Sequence, residues 1–386
     1  MATYIENENE QYQGNPLIAA LPIELGGEDI IASLCHYPIY NQSDRKMDKE
    51  KKILRIKQLY HFYQPFNIHV EIYKDINFMI KEAYLPRNPI KNLKDFNEKV
   101  YANYQGVKNN EVRLITNRNM GIGKALVGAA GIGKTSAINK ILDMIPTVII
   151  HNEYKKQDFR CTQIPYLSIL APYDSSLKAL LLNILSEVDI IANTDYYNRA
   201  IGTRATINML ISQVQQIVTV YHIGLIVIDE FQFLNRKPEQ VVNFLTSVMN
   251  MWGVSLFLVG TPPVLDVLQK DLRVARRFSL LSYKKMEKDE KEWNYLLADL
   301  WQYQYTTQVA QLTEEIADCF YHYSQGITDV FIKLFIEVQI EAVEKNRKIT
   351  VSLIRTVAKD KMMMVEPMIE AMQGGDKYQL LKYQDI

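Results

Sequence analysis

One short run constrains this chain more than any other: Gly128-Ala-Ala-Gly-Ile-Gly-Lys134-Thr135. Glycines at this spacing let a backbone wrap closely, so that consecutive N–H groups point into one concavity. A lysine and a hydroxyl residue then follow at the start of a helix, whose positive dipole end faces the same place. The segment Ala125–Gly128 reads as a strand and the pattern from Lys134 as a helix, the setting in which such a loop holds phosphates. Gly128, Ala129, Ala130, Gly131, Ile132, Gly133, Lys134, Thr135 and Ser136 are therefore the expected nucleotide contacts, a Walker A loop for ATP. Lys134 is expected to reach the β- and γ-phosphates, and the Thr135 hydroxyl to ligate Mg²⁺. The nearby Gly121-Ile-Gly-Lys124 lacks the first glycine and the hydroxyl residue, and is expected to be the turn entering the strand.

A second element completes the chemistry. Leu225-Ile-Val-Ile-Asp229-Glu230 is an apolar strand ending in two carboxylates, a Walker B sequence. Asp229 is expected to hold Mg²⁺ through water, and Glu230 to orient or deprotonate the attacking water. The adjacent acids point to the branch of phosphate-loop proteins with an extra strand between the two motifs, for which the interval 134–229 has room. Leu256-Phe-Leu-Val-Gly260-Thr261 is another buried strand with a polar residue at its carboxyl end. Ligand-facing residues gather at such ends. Thr261 is thus a sensor-1 candidate, although Gly-Thr-Pro-Pro also suits simple helix initiation. Arg273, Arg276 and Arg277 follow in Asp271-Leu-Arg-Val-Ala-Arg-Arg277. At least one is expected to act as a finger on a neighbouring subunit's nucleotide, the alternative being a basic helix end that complements the dipole.

The candidate strands Ala125–Gly128, Thr147–His151, Ile164–Leu170, Leu225–Ile228, Leu256–Val259 and Phe278–Tyr283 alternate with helices from Lys134, Ser176, Thr206, Glu239 and Pro263. That alternation predicts an α/β fold, a parallel sheet with helices on its faces. Beyond Lys288 only helices are expected, at 290–305, 313–324, 328–345, 350–362 and a weaker last one, with Thr313, Thr328 and Thr350 as N-caps. Residues 1–43 read as loop-like, broken by Pro16, Pro22 and Pro38. Asp44–Tyr60 reads as a basic helix buried through Ile53, Ile56 and Leu59, its charged face either solvated or a DNA or partner contact, and Asp95–Tyr104 as another helix. Three parts are expected: an N-terminal extension (1–110), an ATPase core (111–288) and a C-terminal helical domain (289–386). Lys+Arg and Asp+Glu both number 44, so any nucleic-acid surface must come from local patches. Three separated cysteines and six scattered histidines give no disulfide framework or metal spacing. The acidic, polar start and the lack of a long apolar run are read as a cytoplasmic protein with no signal peptide and no membrane span. Met362-Met-Met364 is read as a packed helix face.

These residues resemble the TnsC/TniB family of AAA+ P-loop ATPases, regulators of target-site selection in bacterial DNA transposition, and within it the long TnsC branch. The resemblance covers nearly the whole chain. It is carried by Asn15-Pro-Leu-Ile-Ala-Ala-Leu-Pro22, Tyr63-Gln-Pro-Phe66, Arg87-Asn-Pro89, Gly224-Leu-Ile-Val-Ile-Asp-Glu-Phe-Gln232, Gly260-Thr-Pro262, Asp271-Leu-Arg-Val-Ala-Arg-Arg277 and Ser324-Gln-Gly-Ile-Thr-Asp329. It implies an AAA+ core with a helical lid, and a duplex DNA binder without sequence preference that forms homo-oligomeric rings or filaments with ATP. It also implies partners: the transposase TnsB and a target-selection protein of TnsD or TniQ type, with hydrolysis driving disassembly. A contact with the endonuclease TnsA is left open, since the longest relatives make it through a tail beyond Ile386. Such relatives touch DNA from the interval before the Walker B strand, which makes Lys178, Arg199, Thr203 and Arg204 the DNA candidates here. Where AAA+ proteins carry a sensor-2 arginine, this chain offers Asp329 with Lys333 one turn later, which fits a slow, partner-stimulated switch. The rival readings are an AAA+ helicase loader or replication initiator, and an ATP-gated scaffold that scarcely hydrolyses.

Overall fold

The computed structural model describes residues 2–90, 121–236 and 238–374. The chain divides into two compact units. The first comprises Met1–Gly26, Glu71–Val127 and Ile138–Ser282; the second Gly27–Val70, Gly128–Ala137 and Tyr283–Ile386.

The first unit is built on a parallel sheet of β1 (Gly123–Val127), β4 (Tyr166–Leu170), β5 (Leu225–Asp229), β6 (Ser255–Gly260) and β7 (Phe278–Ser282), in the order β4-β5-β6-β1-β7. The inner strands β5 and β6 are near-continuous apolar runs because both faces of a parallel sheet are covered. Ile226, Ile228, Leu256 and Leu258 share one core with Leu181, Ile184 and Leu185 of a helix at Leu177–Ala192 and with Val214 and Ile217 of one at Ile207–Val220. The expected parallel sheet flanked by helices is therefore present. The strand between β1 and β5 is β6, which follows both motifs in the chain. The interval 134–229 supplies instead the edge strand β4 and a separate hairpin, so the extra strand does not come from there.

That hairpin corrects a second expectation. Ile149–Tyr154 (β2) pairs antiparallel with Gln157–Gln163 (β3) and stands outside the parallel sheet. Its two turn residues, Lys155 and Lys156, both have positive φ, 49° and 66°, as a two-residue type I′ turn demands. Neither is the glycine or asparagine that advertises such a turn, and β3 is mostly polar. The N-terminal segment fastens to the hairpin: Ala2 N–H donates to Ile150 O (2.9 Å), Tyr4 OH bonds His151 Nδ1 (2.8 Å), and Gln163 Nε2 donates to Leu17 O (2.8 Å). Asn15 caps a short helix at Pro16–Ala19 and donates to Tyr84 O (2.8 Å), while Arg87 donates to Ile223 O (2.9 Å). Two of the stretches that carried the family resemblance thus serve as fasteners, one buried at Asn15 and one half-buried at Arg87.

The second unit is helical: α1 (Gly27–Leu34), α2 (Lys49–Lys57), α3 (Lys291–Trp301), α4 (Glu314–Ser324), α5 (Thr328–Glu344), α6 (Val351–Lys361) and α7 (Glu366–Gly374). Trp293, Trp301, Phe320, Phe331 and Phe335 form its aromatic centre, with Trp293 and Phe331 rings 4.8 Å apart. Residues 1–43 are not all loop: α1 buries Ile30 and Leu34 one turn apart. The basic helix expected over Asp44–Tyr60 is broken, because Asp48 is extended (ψ 152°) at the N-cap of α2 and Asp44 closes the preceding 3₁₀ turn by accepting Asn41 N–H. Ile56 and Leu59 are buried and Ile53 half-buried. Two of the basic residues serve the fold, Arg45 donating to Gln304 O and Lys52 to Thr307 Oγ1. Thr313 and Thr350 cap their helices, but Thr328 is the first residue of α5. Ile327, extended in its backbone (ψ 114°) and buried in its side chain, takes the cap position there. Met362–Met364 is a turn between α6 and α7, not a helix face: Met362 is buried and Met364 is 95% exposed. The expected helix at Asp95–Tyr104 lies outside the described residues. Among the described residues no helix is long and apolar enough to cross a membrane, and no cluster of side chains has metal-binding spacing.

Candidate functional site

The phosphate-loop candidate leaves β1 at Val127 and enters a helix at Lys134–Leu142. Its glycines are required for two different reasons. Gly131 and Gly133 have φ of 75° and 105°, where a side chain would be strained. Gly128 has ordinary φ, but a Cβ there would run into Tyr283 O and Ile132 Cδ1. Lys134 is 8% exposed and folds back under the loop, its Nζ donating to Gly128 O (2.8 Å) and Ala129 O (2.7 Å). Thr135 and Ser136 are exposed in the first helical turn. Gly121 and Ile122, by contrast, lead into β1, and Lys124 sits within the strand and pairs with Asp75, so the second glycine run is the entry to the strand.

Within the second unit the loop is braced from two sides. The start of α5 reaches it through Asp329 N–H, which donates to Gly131 O (3.3 Å), while the Asp329 carboxylate pairs with Lys333 (2.6 Å). Tyr283 lies along the other side, its hydroxyl 3.6 Å from where a Gly133 Cβ would be. That hydroxyl bonds His69 Nε2 (3.1 Å), and since His69 Nδ1 accepts Phe66 N–H (2.9 Å), Nε2 carries the imidazole proton. Burial pushes the His69 pKa down to about 4. In the first unit, burial and then the Arg87 charge push His222 down to about 3. Both histidines are neutral in the fold, whereas in the unfolded chain they take up protons near 6.5. Their contribution is full above about pH 6.5 and is lost as pH falls toward 4, on the order of 3 kcal/mol for His69. Chemical denaturation at pH 7.5 and 4.5 should show that drop, and His69→Gln should flatten it; an unchanged profile contradicts the assignment.

In the first unit the carboxyl ends of three neighbouring strands line up: Val127 of β1 pairs with Gly260 of β6, and Ile228 of β5 with Leu258. Asp229 ends β5, and Thr261, 3% exposed, follows β6. Glu230 has a left-handed backbone (φ 53°), a conformation that costs roughly 1–2 kcal/mol for a residue with a Cβ. It is held by its N–H to Asp229 Oδ1 (2.8 Å) and by Phe233 N–H to its carbonyl (3.0 Å). Gln232 Nε2 donates to Glu230 Oε2, and Thr261 N–H donates to Gln232 Oε1 (3.2 Å). The structure thus brings Asp229, Glu230 and Thr261 to one edge of the sheet. It adds Gln232, which no motif logic singled out. Thr261 O also accepts Val264 N–H (3.0 Å), the bond that the helix-initiation reading of Gly-Thr-Pro-Pro expects.

The three arginines differ sharply. Arg273 is clamped by Asp271, with Nη2 2.6 Å from Oδ2, and Arg277 donates to Asn250 Oδ1. Arg276 is exposed and has no side-chain partner among the described residues. The DNA candidates are all exposed. Arg199, Thr203 and Arg204 share one helix–turn–helix segment: Thr203 Oγ1 donates to Arg199 O (3.0 Å), Arg204 turns the chain at φ 50°, and Thr206 caps the next helix. Lys178 lies apart in sequence, in the first turn of Leu177–Ala192.

The chain has one family match and several likenesses among solved structures. The sequence model of a family described as an AAA domain matches residues 121–268. No curated protein sequence matches the chain. Among solved structures, the chain is similar to the Aeropyrum pernix ORC2 protein in its ADPNP–ADP complexes, with TM-score 0.41, 12% identity, and 69% of this chain and 67% of that one covered. It is also similar to the Aeropyrum pernix ORC1 protein in complex with DNA, with TM-score 0.41 and 14% identity, covering 63% of this chain and 60% of that one. Residues 121–268 match an AAA domain, and the parallel sheet flanked by helices with a helical C-terminal region is consistent with the fold of an AAA+ P-loop ATPase.

Proposed function

We propose that this chain is an ATP- and Mg²⁺-dependent ATPase that assembles on duplex DNA and regulates DNA transposition, linking a target-selection protein of TnsD or TniQ type to the transposase TnsB. The observation that carries the ATPase reading is the presence in one chain of a glycine-shaped loop directly after β1 and of an Asp229-Glu230 step at the carboxyl end of β5. The loop suits a polyphosphate: Gly131 and Gly133 open the backbone, the following helix presents its N-terminus, and Lys134 can exchange two carbonyl bonds for phosphate oxygens. Thr135 and Asp229 offer the hard oxygens that Mg²⁺ prefers. The bound metal would neutralise charge on the phosphates as the terminal one departs. Glu230 orients and deprotonates water, Thr261 reports the state of the site along β6, and Arg276, exposed and without a side-chain partner among the described residues, is available to a second subunit.

The transposition reading is supported by the family resemblance, which extends from Asn15 to Asp329. Assembly on DNA is supported by the exposed basic turn at Arg199–Arg204 and the capped helix start behind it. Main-chain amides and hydroxyls at such a start bind phosphate without reading bases. Arg204→Ala should therefore weaken duplex binding alike across sequences and lower the salt slope by about one. Fluorescence anisotropy over a salt series tests this, and an unchanged affinity and slope would remove Arg204 from the interface.

A further inference from the structure

We propose that Gln232 is a positioning residue of the hydrolytic site: its carboxamide ties the Glu230 carboxylate to the end of β6, and Gly260 is a glycine in order to leave room for it. This rests on reading Glu230 as the group that activates water.

Three observations converge on that carboxamide. First, both of its ends are used in the correct sense. Nε2 donates to Glu230 Oε2, and Oε1 accepts Thr261 N–H at 3.2 Å. A glutamine is one of the few side chains with a donor and an acceptor on the same tip. A glutamate there would face Glu230 with like charge, and an asparagine is one methylene short.

Second, Gly260 is not demanded by backbone conformation, since it has no positive φ. What the missing side chain provides is space. A Cβ on Gly260 would collide with Gln232 Oε1 and stand 2.6 Å from Val264 Cγ2. The last residue of β6 has been kept bare so that the amide can lie against it.

Third, Glu230 has a backbone that a non-glycine residue adopts only when its surroundings enforce it. Glu230 N–H is taken by Asp229 Oδ1, and the next residue, Phe231, is fully buried. The main chain on either side is therefore fixed, and the side-chain torsions are the remaining freedom. Gln232 restrains them by holding one carboxylate oxygen and leaving Oε1 for water.

The consequence is a mechanical link between two strands. Any shift of Thr261 at the end of β6 is passed through a main-chain N–H and the Gln232 amide to the Glu230 carboxylate. The sensing position and the water-activating position are then one hydrogen-bonded unit, and geometry at β6 sets how Glu230 points.

Steady-state ATP hydrolysis of the full chain tests this, together with ATP affinity and thermal melting of each variant. Gln232→Leu keeps the bulk and removes both hydrogen bonds. It should lower kcat on the order of 10- to 100-fold with KM for ATP changed less than about threefold. Gly260→Ala should give the same kcat-selective loss by pushing from the other side. Gln232→Ala/Gly260→Ala should lose little more kcat than Gln232→Ala alone, because the carboxamide that the new methyl would displace is gone; the contact with Val264, present in both Gly260 variants, is read separately in their melting. Full kcat in Gln232→Leu, or multiplying losses in the double variant, overturns the proposal. Glu230→Gln separates the two levels. If it is inactive while Gln232→Leu matches the wild type, only the positioning role falls. If it turns over like the wild type, the reading of Glu230 falls and the role of Gln232 falls with it.

Discussion

Arg276→Ala is expected to lower assembly-dependent ATP turnover roughly 10³- to 10⁵-fold while leaving nucleotide binding by the isolated chain intact. The size follows from what a guanidinium does beside a phosphoryl group in transfer: it stabilises charge that builds only in the transition state, so its removal affects rate and not ground-state affinity. The choice of Arg276 follows from its neighbours. Arg273 is already paired with Asp271, and Arg277 with Asn250, whereas Arg276 faces solvent. Arg273→Ala should accordingly change turnover less than tenfold. Mixing settles the direction of action. Arg276→Ala and Lys134→Ala are each expected to be inactive alone, but together they form sites with Lys134 from one subunit and Arg276 from the next, so activity should return. A mixture as inactive as its parts contradicts a finger acting in trans.

Glu230→Gln is expected to reduce turnover about 10²- to 10⁴-fold, the usual reach of a general base. The amide keeps the shape, and binding of ATP and Mg²⁺ should persist, since the loop and Asp229 are untouched. If hydrolysis disassembles the protein from DNA, complexes formed by this variant with ATP should outlive those of the wild type by a similar factor. Dissociation after dilution into competitor DNA measures this directly. Wild-type lifetimes would favour a scaffold in which binding alone supports assembly.

Much of the α/β fold is legible in the sequence because its signals are local. A loop of three glycines and a lysine, and two acids at the end of an apolar strand, each mark a strand end within a few residues. What escapes is set by contacts between distant segments. The β2–β3 hairpin turns on Lys155 and Lys156, which adopt positive φ without the usual residues. The strand between β1 and β5 comes from later in the chain, because sheet order is a property of crossovers and not of sequence order. Gln232 reads as one more polar residue until its amide is seen between Glu230 and Thr261, and Gly260 reads as a turn glycine until the space beside it is occupied. The three arginines of the 271–277 segment are indistinguishable in sequence and separate only by their partners. Met363 and Met364 show the converse failure, an apolar run that promises a packed face and lies in an exposed turn.

Electron microscopy of the chain with duplex DNA, in parallel samples with a slowly hydrolysed ATP analogue, with ADP and without nucleotide, bears most directly on the central claim. Rings or filaments encircling the DNA with the analogue, and their loss with ADP, are the expected result. Monomers that respond to neither nucleotide nor DNA would contradict it.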